Sequence, residues 1–185
     1  GGSKVISKND TTPPAPPKFN YVAQFSNQQT LNISGSSEAG ATVKLTFNGK
    51  PSEVLADKDG GFTFSLQLNE GDNNFSAVAV DASGNPSQNS KEYKITFDNR
   101  PPVLNVSSPT DGSSFFGSNQ RQVTIQGNTE ANSQMLINDR LVSVDDAGNF
   151  QYTSTLNDGS NLFNIKSTDQ AGNTTEKSIT LNFTP

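Results

Sequence analysis

Along residues 61–68 large apolar and small polar side chains alternate without a break: Phe62, Phe64, Leu66 and Leu68 against Thr63, Ser65 and Gln67. Successive side chains of an extended chain point to opposite faces, so this stretch predicts a half-buried strand with four large apolar groups on its inner face. Phe75, Ala77 and Ala79 predict a second such face. Nowhere does an amphipathic 3.6-residue period run long enough to hold a helix, so all regular structure is expected to be strand. In the first half the pattern predicts strands near 19–24, 30–35, 41–47, 52–56, 61–68, 73–80 and 91–97, and the set repeats from about 103 to 183. Turn-forming residues separate them at short intervals: Asn48-Gly49, Asp59-Gly60-Gly61, Glu70-Gly71-Asp72 and Ser83-Gly84-Asn85.

The two halves align with each other. Gly35-Ser36-Ser37-Glu38-Ala39 returns as Gly127-Asn128-Thr129-Glu130-Ala131, and Asp57 through Phe62 returns as Asp145 through Phe150. Leu68-Asn69-Glu70-Gly71-Asp72-Asn73-Asn74-Phe75 returns as Leu156-Asn157-Asp158-Gly159-Ser160-Asn161-Leu162-Phe163, and Asp81-Ala82-Ser83-Gly84-Asn85 as Asp169-Gln170-Ala171-Gly172-Asn173. Order and spacing are kept, which marks a duplicated module. Residues 1–17 read as a cloning scar (Gly1, Gly2, Ser3) followed by a Pro-rich linker, 18–98 as the first module, 99–102 as an interdomain linker around Pro101-Pro102, and 103–185 as the second module.

Composition narrows the chemistry. Only 30% of residues are hydrophobic and 17% charged, so uncharged polar residues do the solvating, yet twelve Phe spread along the chain supply cores. With no His and no Cys there can be no Ser-His-Asp triad, no Cys-His pair, no zinc site of the usual ligands and no disulfide. The net charge of −5 argues against nucleic acid as a partner. No run of about 20 apolar residues is present, so no membrane insertion is expected.

The string of a Gly after the second strand, an Asn-Gly hairpin, an Asp-x-x-Gly-x-Phe strand start, a Gly-x-Asn turn and a closing Asp-x-x-Gly-Asn loop resembles the bacterial Ig-like modules. Asp81 to Asn85 and Asp169 to Asn173 are the best markers. The second copy departs by a shortened hairpin, Asn138-Asp139 in place of Asn48-Gly49, and by an extra Gly/Ser-rich lead-in, Asp111 to Gly117. The resemblance implies an all-β fold of two tandem Ig-like β-sandwich domains with about seven strands each. Modules of this kind are strung in tandem in surface adhesins, biofilm proteins and secreted polysaccharide-active enzymes, which implies an extracellular or cell-surface location and neighbouring Ig-like modules of the same chain as partners.

An Ig-like topology sorts the loops by end. One end of the first module would carry Glu38, Asp57, Asp59 and Asp81, the matching end of the second Glu130, Asp145, Asp146 and Asp169, and the opposite end of the first Glu70 and Asp72 beside Asp98 and Asn99. One reading is a Ca²⁺ ion at the junction of the modules, held by Glu70, Asp72, Asp98, Asn99, Asp145, Asp146 and Asp169, since calcium takes six to eight hard oxygens. The other is that Asp and Asn are simply what turns prefer, with Asp81 and Asp169 capping their own loops, and no cofactor is then required. Pairs of carboxylates also raise glycoside hydrolysis, but the aromatics alternate into the expected cores and Trp, a favoured stacking residue, is missing. At Phe115-Phe116 period two leaves one ring outside.

No catalytic residue is therefore assigned. The expected role is a non-catalytic stalk or spacer of a bacterial cell-surface adhesin. The alternatives are an accessory or glycan-binding module of a secreted polysaccharide-active enzyme, and a homophilic or receptor-binding adhesive module with a host or matrix surface ligand.

Overall fold

The structure, a computed structural model, describes residues 10–185. The chain divides into two units, the first ending at Asp98 and the second beginning at Asn99. Each is a two-sheet sandwich, and the whole is all-β.

In the first unit the strands are β1 (Lys18–Phe19), β2 (Phe25–Ser26), β3 (Thr30–Ser36), β4 (Thr42–Phe47), β5 (Lys50–Leu55), β6 (Gly61–Gln67), β7 (Gly71–Val80) and β8 (Tyr93–Phe97). A three-stranded sheet in the order β1-β3-β6 faces a five-stranded sheet in the order β2-β8-β7-β4-β5. The alternation read from the sequence points inward as expected: Phe62, Phe64, Leu66 and Leu68 are buried from one sheet, and Phe75, Ala77 and Ala79 from the other. Val43, Leu45 and Ile95 complete the layer between them. The half-buried Phe19 ring meets Phe62, Phe75 and Tyr93 edge-on at 5.1–5.4 Å between centroids, joining the two sheets.

The strand expected at 19–24 is instead two short pieces. β1 pairs antiparallel with β3, Asn20 N–H still reaches Ser34 O, and the chain then crosses so that β2 pairs parallel with β8. Two inputs make the crossing favourable, because one straight strand could satisfy the open edge of only one sheet.

The second unit repeats this plan with β9 (Leu104–Ser108), β10 (Ser114–Phe116), β11 (Gln122–Thr129), β12 (Gln134–Ile137), β13 (Arg140–Val142), β14 (Asn149–Thr155), β15 (Gly159–Thr168) and β16 (Thr174–Thr184). Its sheets run β14-β11-β9 and β10-β16-β15-β12-β13, again with the first strand divided and its second piece, β10, parallel to the last strand. Phe150, Phe163, Ile125, Met135, Ile165 and Leu181 form the core. One turn of 3-10 helix, Ser118–Gln120, departs from the expectation of strand alone; it directly follows the extra lead-in, where Gly117 at φ 79° breaks the strand. The expected scar at Gly1, Gly2 and Ser3 lies outside the described residues.

The repeated Gly35 and Gly127 have a steric reason. A Cβ at Gly35 would run into the Lys18 carbonyl oxygen and the Phe62 ring, and one at Gly127 into the Asn105 carbonyl oxygen and the Phe150 ring. Absence of a side chain lets β1 and β9 lie against their neighbours over the core Phe.

Candidate functional site

The acidic loops repeat between the modules, and four of them share one geometry. Asp57 Oδ1 accepts the backbone N–H groups of Asp59 and Gly61 at 2.9 and 2.8 Å. Asp81 Oδ1 accepts those of Ser83 and Asn85 at 3.0 and 2.8 Å, Asp145 Oδ1 those of Ala147 and Asn149 at 3.0 and 2.8 Å, and Asp169 Oδ1 those of Ala171 and Asn173 at 3.0 and 2.8 Å. The residue at the fourth loop position is a glycine at φ 84–90° in every case, so the loop can close back on its own aspartate. Where the fifth position is Asn, its side-chain amide donates to the second carboxylate oxygen: Asn85 to Asp81 at 2.9 Å, Asn173 to Asp169 at 3.0 Å and Asn149 to Asp145 at 3.3 Å. Asp81 and Asp169 are 7% exposed, in agreement with their inward strand parity, and tie their loops to the sandwich.

These bonds tune the acids. The Asn85 side-chain amide, then the Asn85 N–H, holds the Asp81 carboxyl below the ordinary range, and the Asn149 N–H does the same for Asp145. Asp72 is also lowered, first by the hydroxyl of Thr96, which donates to it at 2.8 Å, and then by Lys94, whose Nζ stands 3.5 Å away.

Of the residues named as calcium ligands, Glu70, Asp72 and Asp98 belong to the first unit and Asn99, Asp145, Asp146 and Asp169 to the second. In the first unit the register of β7 and β8 pairs Gly71 with Phe97, which brings Glu70, Asp72 and Asp98 to one end of the five-stranded sheet. Asp72 there faces Lys94, and the Asp98 N–H donates to Ser26 O. In the second unit Asn99 and Asp146 are exposed, while Asp145 and Asp169 each organise their own loop.

Sequence reasoning missed a different residue. Asn73 is completely buried: its Oδ1 accepts the Asn69 N–H at 2.8 Å, and its Nδ2 faces the carbonyls of Asn69, Gly71 and Ile95 at 2.8–3.3 Å. Asn161 makes the same four contacts, to Asn157 twice, to Gly159 and to Leu181. The signal was present in the repeated Gly-x-Asn turn. That motif predicts turn chemistry, whereas in the first module its Asn is a buried amide that pins the β6–β7 connection to β8.

A depression of about 700 Å³ in the first unit is lined by Phe19, Tyr21, Val22, Gln24, Phe25, Lys91 and Tyr93 among others. Phe19 and Tyr93 give their rings to the core contacts, while Tyr21 beside them is 94% exposed. At Phe115-Phe116 one ring packs on the core and the other is 62% exposed.

Residues 14–96 match the family model of the bacterial Ig domain, and residues 102–184 that of glucodextranase domain B. The chain is a tandem of bacterial Ig-like modules. Its Ig-like modules are 28% identical over 165 residues to bacillopeptidase F of Bacillus subtilis strain 168, covering 86% of this chain and 11% of that protein. The fold is similar to the fibronectin(III)-like modules of Clostridium thermocellum CbhA, with a TM-score of 0.58 at 14% identity over 94% of this chain and 92% of that one. A bacterial ice-binding adhesin of 1.5 MDa also resembles it, with a TM-score of 0.43 at 17% identity over 94% and 67%. Among the described residues no helix is long and apolar enough to cross a membrane.

Proposed function

We propose that this chain is a non-catalytic spacer segment of a larger extracellular bacterial protein, of the kind that carries a functional domain away from the cell surface. The observation that carries this reading is the use to which the polar residues are put. Asp57, Asp81, Asp145 and Asp169 hold loops, and Asn73 and Asn161 hold strand connections, so the repeated chemistry serves the shape of each module. Duplication of that shape, with its turns intact, is what a repeating structural unit requires. The chain spans 11% of the curated relative it matches, in keeping with a part that serves a longer protein.

A second reading, an accessory glycan-binding module of a secreted enzyme, draws on the glucodextranase domain B match over residues 102–184 and on the exposed Phe116. One set of measurements separates the two. The chain is tested for hydrolysis of glycosides and peptides and for retention on insoluble polysaccharides. The spacer reading expects neither. Turnover abolished by substituting a single carboxylate would overturn it, and polysaccharide retention lost in Phe116→Ala would replace it with the second reading.

A further inference from the structure

Free edges of a sheet present unpaired N–H and C=O groups, and proteins ordinarily guard them with charge, proline or brevity. In the first module the guards are visible on most edges: β5 carries Lys50, Pro51 and Glu53, and β1 and β2 are two residues long. The outer edge of β6 has none of these. It is seven residues long, Gly-Phe-Thr-Phe-Ser-Leu-Gln, without charge, proline or bulge, and it pairs with β3 in unbroken register from Thr30↔Gln67 to Ser36↔Gly61.

The direction of its free groups follows from the ladder. Ser37 N–H donates to Gly60 O and Leu68 N–H to Gln29 O, so the even-numbered residues of β6 bond to β3 and the odd-numbered ones turn outward. Gly61 is capped, since Asp57 accepts its N–H and donates to its carbonyl. Thr63, Ser65 and Gln67 remain, each with an N–H and a C=O that no backbone or side-chain group among the described residues meets. In the second module the equivalent edge is shorter, because Val144 forms a bridge with Phe150 on β14.

We propose that β6 is a self-association edge, which pairs antiparallel with β6 of a second copy about a two-fold axis at Ser65. The argument for a second copy is self-complementarity. Centred on Ser65, the pairing sets Thr63 opposite Gln67 on both sides, the Thr–Gln combination that β3 and β6 already use when Gln67 Nε2 donates to Thr30 Oγ1 at 2.8 Å. Three residues on each edge meet three on the other, so every outward N–H and C=O finds a partner. Charge also permits it. The outer face beside this edge consists of Thr30, Asn32, Ser34, Thr63, Ser65 and Gln67, whereas the outer face of the five-stranded sheet carries Lys44, Glu53, Asp72 and Lys94. The paired stretch from Thr63 to Gln67 contains no charged side chain, so no like charges stand directly opposite each other within it. The contact is small, so the association is weak for a free chain and gains force where many copies stand side by side on one surface.

The test uses the whole chain, in sedimentation velocity up to about 1 mM, the range of a weak contact, and in amide hydrogen exchange at low and high concentration. The expected result is a concentration-dependent dimer in which the amides of Thr63, Ser65 and Gln67 become protected. Ser65→Lys sets like charges opposite each other on the axis and should weaken dimerisation about tenfold or more with the melting temperature unchanged. Thr63→Lys repeats the test off the axis. A chain that stays monomeric throughout, a dimer that both variants leave intact, or protection of these amides only on adding an unrelated extended peptide would each overturn the proposal.

Discussion

A single buried amide shows how much of this fold depends on polar side chains. Asn73 satisfies one N–H and three carbonyls where the chain turns from β6 into β7, in a place water does not reach. Asn73→Ala leaves those groups unmet, and is expected to cost about 2–4 kcal/mol in the first module, measured by urea unfolding. Asn73→Asp keeps the acceptor but loses the donor, and should recover only part of the loss. The acidic caps give a pH dependence of definite sign. The carboxyls of Asp72, Asp81 and Asp145 have folded values below their unfolded ones, so they add stability that is fully present above about pH 4 and is lost as the pH falls through the lowered values. Melting temperature should therefore fall on acidification below that point. Asp81→Asn should show a shallower fall than the parent chain, and an identical slope would remove Asp81 from the account.

Elements differ between the copies where their sequences differ, and the hairpin is the clearest case. β4 and β5 are joined by Asn48 and Gly49 at φ 49° and 79°, and β12 and β13 by Asn138 and Asp139 at φ 48° and 64°. Both are two-residue turns with left-handed backbone, which matches strand twist. The shortening expected in the second copy lies in β13, three residues against six in β5, and the turn itself is unchanged. An aspartate pays a conformational cost in that region which a glycine does not. Asp139→Gly is thus expected to stabilise the second module by about 0.5–1 kcal/mol, read as a higher denaturation midpoint with an unchanged slope. A decrease would mean that the Asp139 side chain supports the hairpin.

At the scale of the whole molecule, each unit has its own core of buried Phe, Leu and Ile. Phe75 and Phe150 sit in different cores at 1% and 4% exposure. Phe75→Ala should remove about 3–5 kcal/mol from the first module, and calorimetry should show its transition moving while the second stays in place. Movement of both together would mean that the cores unfold as one. Calcium is tested on the same instrument. The carboxylates of Asp57, Asp81, Asp145 and Asp169 accept hydrogen bonds from their own loops, and equal melting in millimolar Ca²⁺ and in chelator is the expected result. A stabilisation that grows with Ca²⁺ and vanishes in Asp98→Ala would return Asp98 and its neighbours to the role of ligands.

The sequence by itself determined the class, the duplication and the inner face of the strands, because period two, turn residues and their spacing are local properties that survive in any sandwich. Phe62, Phe64, Leu66 and Leu68 could be assigned a side from alternation alone, and Asp81 and Asp169 a cap from strand parity. Only the tertiary structure decided what depends on partners distant along the chain. The division of the first strand between two sheets follows from which edges stood open, at β3 and at β8. The work of Asn73 follows from the Ile95 carbonyl, twenty-two residues on. That β6 is an unguarded edge follows from the absence of a strand beside it among the described residues, and its own residues read the same whether a neighbour is there or not.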